Sequence, residues 1–168
     1  STTLKPGITG QNIKLVALLI QKLMSCSNKH PNLSLLDNGL LYTRGTEKAV
    51  TWMNSTANGR PVIPRTGFVV EINTLWYNAL CFVGELLGEA GNEQLSTELS
   101  VLAERSGKSF LETFLNEYGY LLDYVDGNMM DWSVRPNMIF AVALDYSPLN
   151  ASHNSLLCSA SIQQTVVK

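Results

Sequence analysis

Between Ile72 and Tyr118 the chain keeps a helical rhythm through two consecutive segments. Ile72, Leu75, Trp76, Ala79, Leu80, Val83 and Leu87 fall on one face of a first helix, which the spacing ends near Gly88 or Gly91. Leu95, Leu99, Leu102, Phe110, Phe114 and Tyr118 mark the apolar stripe of a second, longer one, with Gly107 as a weak point inside it. Further helices are expected over Gln11–Ser27, from Arg135-Pro136 to about Leu144, and over Leu149–Val166, the second of these with proline where its missing N–H does no harm. Ser147-Pro148 separates the last two. The expected fold class is therefore all-α, with about five helices and no convincing sheet.

What joins the helices is irregular. Leu36–Gly67 holds Asn38-Gly39, Asn58-Gly59, Pro61 and Pro64 with no sustained helical period, and leaves room for a short hairpin. Leu121–Asp131 reads as a polar turn region around Asp126-Gly127. Long structureless connections are unusual in a compact domain and tend to be functional.

Composition narrows the partners. The chain has 168 residues, 15% of them charged, and a net charge of −2. It lacks the basic excess that a nucleic-acid or anionic-membrane partner asks for. No apolar run approaches the roughly 18 residues of a membrane span. The three cysteines, Cys26, Cys81 and Cys158, are widely spaced and odd in number, so neither a disulfide framework nor a metal knuckle is legible. Cys81 and Cys158 are expected as buried free thiols. The two histidines, His30 and His153, make no ligand pair, and no metal site is expected. A neutral surface bearing aromatic residues suits a neutral ligand such as a sugar.

The residues that could recognise one are concentrated. Asp37, Tyr42, Arg44, Trp52, Asn54, Arg60 and Arg65 lie in the irregular segment, and Glu71, Asn73, Trp76, Tyr77 and Asn78 open the helix after it. Sugar hydroxyls need paired donors and acceptors, and their C–H faces pack on aromatic rings. Glu71 and Asn78, seven residues apart, share a helical face. Each has a plainer reading. Glu71 can complement the helix dipole, Trp76 can belong to the core, and Arg65 can pair with any acid.

The order of these residues resembles the C-terminal amylo-α-1,6-glucosidase domain of the glycogen debranching enzyme family. Asp37-Asn-Gly-Leu-Leu-Tyr-Thr43 is similar to that family's DGLL-type segment and Thr51-Trp-Met-Asn54 to its TWMD segment. Pro64-Arg-Thr-Gly67 followed by Val70-Glu-Ile-Asn-Thr-Leu-Trp-Tyr-Asn-Ala-Leu80 is similar to its PRxGxxVEINALWYNAL run, and Arg135-Pro-Asn-Met-Ile-Phe-Ala141 to its RPNQ segment. The resemblance covers about Asp37 to Leu144. It implies an (α/α)6 barrel that hydrolyses α-1,6-linked glucose stubs in glycogen or related α-glucans with inversion, without a cofactor, in the cytoplasm. One carboxylic acid protonates the leaving oxygen and a second activates water, the two standing about 6.5–9.5 Å apart. Carried over by position, Glu71 and Asp37 are the catalytic candidates. Trp52, Asn54, Arg65, Trp76, Asn78, Arg135 and Asn137 are the substrate-binding candidates.

Two departures stand out. The family's TWMD aspartate, its general acid, is Asn54 here, and an amide cannot donate that proton. Met138 replaces the RPNQ glutamine. Another acid, Glu71 or Asp37, could protonate the leaving oxygen. The chain could instead bind glucan without hydrolysing it, or the roles could be aligned wrongly. A chain of this length also offers fewer helices than the barrel holds, and the second carboxylate is expected beyond Lys168. The expectation is thus a single partial domain over residues 1–168, inactive by itself, with uncovered helix faces that favour self-association. A non-catalytic α-glucan-binding module is the alternative. A helical interaction domain is a third reading, with Trp52, Trp76 and Trp132 scattered through separate cores.

Overall fold

A computed structural model describes residues 15, 18, 20–22, 32–45, 48–52 and 55–150 of the chain. The two helices legible from the apolar rhythm are present. Helix α1 spans Val70–Glu89 and helix α2 spans Glu93–Phe114. Between them Gly91 adopts φ +79°, a conformation that costs glycine no steric clash. Gly91 N–H donates to Gly88 O and Asn92 N–H to Leu87 O, so the last carbonyls of α1 find partners. Asn92 then caps α2, its Oδ1 accepting from Leu95 N–H at 3.3 Å. So short a turn folds α2 back along α1, and the two pack more extensively than any other pair of elements. Small residues at the crossing allow the approach. A Cβ on Gly88 would stand 3.2 Å from Ser96 Oγ, and Ser96 Oγ donates to Gly84 O at 2.7 Å. Leu80, Val83, Leu87, Leu99 and Leu102 fill the seam, with Trp76 and Ile20 against them.

The expectation of an all-α chain is wrong. Strands β1 (Leu33–Leu35), β2 (Leu41–Thr43), β5 (Gly67–Val69), β6 (Tyr124–Asp126) and β7 (Met129–Met130) form an antiparallel sheet in the order β1-β2-β5-β6-β7. A separate hairpin pairs β3 (Thr56–Ala57) with β4 (Arg60–Pro61). The molecule is mixed α and β, and the described residues show no α/α barrel. The reason is strand length. Two or three residues cannot display an alternation of period two, so the strands read as loops. The irregular segment Leu36–Gly67 holds β2 and the β3–β4 hairpin, whose Asn58 and Gly59 take φ +52° and +75° as a two-residue hairpin turn requires. The polar turn region Leu121–Asp131 is the β6–β7 hairpin.

Other expectations are adjusted more lightly. Arg135-Pro136 does open helical structure, as a 3-10 turn over Pro136–Ile139 running into a short helix α3 over Phe140–Ala143. Gly107 lies within α2, which runs on through it despite its low helix propensity. A Cβ there would stand 2.8 Å from the Tyr77 ring, so glycine is what lets α1 and α2 close at that level. Cys81 is a free, half-buried thiol. Of the first expected helix, residues 15, 18 and 20–22 are described and helical, with Ile20 buried but Leu15 and Leu18 exposed. Cys26, His30, His153, Cys158 and nearly all of Leu149–Val166 lie outside the described residues.

A second core forms where the sheet meets the helix ends. Leu40, Val70, Phe110, Phe114, Leu121, Leu122, Val125 and Met138 pack together there. Asn73 fixes helix to sheet. Its Oδ1 accepts from Leu41 N–H at 2.7 Å, and its Nδ2 donates to Leu41 O and Val69 O. β5 enters α1 without a linking residue, since Val69 ends the strand and Val70 begins the helix.

Candidate functional site

That direct strand-to-helix passage brings Arg65, just before β5, against Glu71, in the first turn of α1. Arg65 grips Glu71 with both terminal nitrogens, Nη1 to Oε1 and Nη2 to Oε2, the latter at 2.7 Å. Such fork-to-fork pairing is the strong form of the ion pair. Arg65 Nη2 also donates to Asp123 Oδ1 at 2.8 Å. Asn137, from the 3-10 turn, places its amide between the two acids, with Nδ2 donating to Glu71 Oε2 at 2.8 Å and to Asp123 Oδ1 at 2.7 Å. Arg135 closes the far side. Its Nε lies 3.0 Å from Asp123 Oδ2, an ionic contact without hydrogen-bond alignment. Its Nη2 donates to Asp131 Oδ2 at 3.2 Å.

The backbone holds this arrangement in place. Val70 N–H donates to Asp123 O at 3.0 Å and Asp123 N–H to Asp131 O at 2.9 Å. Thr43 Oγ1 donates to Arg65 O at 3.2 Å and Gly67 O at 3.0 Å. Gly67 sits at φ +106°, and a Cβ there would lie 2.2 Å from Val125 O. Only glycine lets β5 approach β6 closely enough to bring Arg65 to Asp123.

The network is sealed. Arg65, Glu71, Asp123 and Asn137 are 2%, 1%, 0% and 1% exposed, while the Arg135 and Asp131 side chains keep 21% and 16%. Burial pushes the Asp123 carboxyl above its ordinary range, outweighing the Asn137 hydrogen bond and the two guanidinium charges. At Asp131 burial pushes the same way but is overcome by the Ser133 hydrogen bonds and Arg135, which leave it below the ordinary range. Burial would lower the Arg65 pKa, but the Glu71 hydrogen bond and charge, with Asp123 behind them, raise it.

Four of the residues expected at a site therefore converge: Arg65, Glu71, Arg135 and Asn137. Of the others, none that is described hydrogen-bonds within this network. Trp76 is a core residue, 4% exposed, with Nε1 donating to Gly39 O at 3.1 Å. Asn78 donates to Tyr146 O at 3.2 Å. Trp52 is 59% exposed. Asp37 lies on an exposed turn whose carbonyl accepts from Arg105 at 3.2 Å. Asn54 lies outside the described residues. Asp123 and Asp131 were missed. Asp123 had a signal: it is a lone carboxylate inside the apolar run from Leu121 to Val125, and a buried charge demands a partner.

The four converging residues are those of the PRxG, VEIN and RPN segments. A model of the family described as amylo-alpha-1,6-glucosidase matches residues 10–165. The chain belongs to the amylo-alpha-1,6-glucosidase family. No curated protein and no solved structure matches it. Membership in a glucosidase family turns attention to carboxylates. Glu71 and Asp123 hydrogen-bond to the same amide nitrogen and the same guanidinium nitrogen, so they lie within two hydrogen-bond lengths of each other. An inverting glucosidase instead holds its carboxyls about 6.5–9.5 Å apart to admit water. Among the described residues no cluster of His, Cys, Asp and Glu is arranged to hold a metal ion, and no helix is long and apolar enough to cross a membrane.

Proposed function

We propose that this chain supplies the arginine–carboxylate floor of the glucosyl site of an α-1,6-glucosidase acting on branch stubs of α-glucans such as glycogen. By itself it binds the glucosyl unit and does not hydrolyse it. One observation carries the reading: residues from three family segments meet in a single buried ion network whose open edge is Arg135 with Asp131. In this reading Arg65, Glu71, Asp123 and Asn137 are positioning residues that hold Arg135 at the mouth, where its guanidinium faces sugar hydroxyls. The proton transfers of an inverting reaction need acids that reach the glycosidic oxygen and a water. Glu71 and Asp123 reach neither, since both are sealed and committed to Arg65. A cytoplasmic location goes with the glycogen substrate.

Isothermal titration with isomaltose tests the reading, alongside glucose release from a branched limit dextrin. Native protein is expected to bind isomaltose without releasing glucose, and Arg135→Gln to bind at least about tenfold more weakly, the scale of a lost hydrogen bond to a charged group. Absence of isomaltose binding by native protein, with the fold intact by circular dichroism, would overturn it.

A further inference from the structure

Two asparagines in the sequence precede a glycine, Asn38 and Asn58. The dipeptide has its own chemistry. The backbone nitrogen that follows an asparagine can attack the side-chain amide carbon, and a glycine there has no Cβ to obstruct the approach. The fold treats the two asparagines differently. At Asn38 both reacting groups are engaged. Asn38 Oδ1 accepts from Leu40 N–H at 3.1 Å, and Gly39 N–H donates to Leu36 O at 2.9 Å. Gly39 is buried, and a Cβ on it would stand 3.1 Å from Ser106 N, so this turn is clamped against α2.

Asn58 and Gly59 form the tip of the β3–β4 hairpin, and every residue from 55 to 60 is exposed. Nothing lies within 4 Å of a Cβ built on Gly59. Pairing of the strands ends with Ala57 opposite Arg60. Neither the Asn58 side chain nor the Gly59 N–H has a hydrogen-bond partner among the described residues. Asn58 sits at φ +52°, and the attack requires its backbone and side chain to rotate. A hairpin of two-residue strands, with so little of it buried, opens locally at small cost.

We propose that Asn58 is a site of spontaneous deamidation and that the fold protects Asn38, which carries the same dipeptide. Gly59 N gives up its proton to a solvent base and bonds to Asn58 Cγ. The Cγ–Nδ2 bond breaks, and the nitrogen leaves as ammonia after taking a proton from solvent. The cyclic succinimide that remains adds a water. Opening at the backbone side of the ring leaves isoaspartate, and opening at the other carbonyl leaves aspartate. Either product adds a negative charge to the hairpin. Aspartate tolerates the left-handed turn. Isoaspartate runs the chain through the former side-chain carbons, which lengthens a two-residue loop by a methylene and disturbs the pairing of Ala57 with Arg60. The site lies on the connection between Thr51 and Arg65, whose side chains are 3.4 Å apart at Oγ1 and Nη1. It needs no sugar to react and stands apart from the glucosyl reading.

The test is incubation of the purified chain at mildly alkaline pH, folded and in denaturing urea, followed by peptide mass spectrometry that resolves aspartate from isoaspartate. In folded protein Asn58 is expected to convert within about threefold of its rate in urea. Asn38 is expected to be slowed at least about tenfold by folding, because two hydrogen bonds must open first. Asn58→Gly keeps the turn, since glycine also takes positive φ, and should remove the fast product from folded protein. Conversion of Asn38 as fast as Asn58 in folded protein would overturn the proposal. So would a larger slowing of Asn58 by folding, which would show that the hairpin holds the amide away from Gly59 N. A fast product that persists in Asn58→Gly would overturn it by placing the reaction at another asparagine.

Discussion

Arg65 answers two buried carboxylates at once, and that sets the scale of what its loss should do. Replacing it by methionine keeps the volume but leaves Glu71 without a cation and Asp123 with Arg135 alone. Removing one partner of a buried pair costs about 3–5 kcal/mol, so urea unfolding of Arg65→Met should show a loss of that size. A loss below about 1 kcal/mol would mean that the pair is not buried as described. Asp123 and Asp131 flank Arg135 with shifts of opposite sign, and their pH dependence should be opposite too. Asp123 is raised above 3.8. It therefore contributes stability that is fully present below that unfolded value and lost as pH rises through its folded value. Asp131 is lowered from 3.8. Its contribution is present above the unfolded value and lost as pH falls through the folded one. Unfolding free energies measured from pH 3 to 7 should accordingly decline less steeply with rising pH in Asp123→Asn than in native protein. In Asp131→Asn the acid-side loss should be smaller. Arg65, Glu71, Arg135 and Asn137 were legible as site residues because motif order marks them. Asp123 carries no motif mark in that reading, and its partner Arg65 stands 58 residues earlier. Nothing local pairs the two.

At the scale of elements, two glycines decide how closely neighbours approach. Gly107→Ala gains helix propensity of about 1 kcal/mol but drives a Cβ to 2.8 Å from the Tyr77 ring. Overpacking of this kind costs about 1–3 kcal/mol, so the variant should be neutral to destabilised. In a Tyr77→Leu background the same substitution should become stabilising, a coupling that a double-mutant cycle reads directly. Gly67→Ala should be worse, because its Cβ meets a carbonyl rather than a side chain and φ is +106°. The β5–β6 pairing would open and carry Arg65 away from Asp123, so unfolding should shift to lower urea and isomaltose binding should weaken together. The helices were readable because twenty or more residues repeat one apolar rhythm. The strands were not, because three residues between turns offer no rhythm. Their positions are dictated by pairings such as Phe68 with Val125, far apart in the chain.

For the whole molecule, α1 and α2 form a scaffold, the sheet is laid across their ends, and the ion network lies where strand β5 becomes helix α1. This arrangement puts charge inside and leaves one open edge, Arg135 with Asp131. It is compatible with a member of a glucosidase family that has Arg65, Glu71 and Asn137 in the segments resembling the family's and Asn54 where that resemblance expects the general acid. This polar set organises the fold, and in the proposed function its contact with sugar runs through Arg135. The measurement that tests this most directly is glucose release from a branched limit dextrin by the purified chain, run beside isomaltose titration of the same preparation. The account predicts saturable isomaltose binding and no glucose above the blank. Glucose formed in proportion to protein, and abolished in Glu71→Gln, would contradict it by showing that the sealed carboxylate does reach the glycosidic bond.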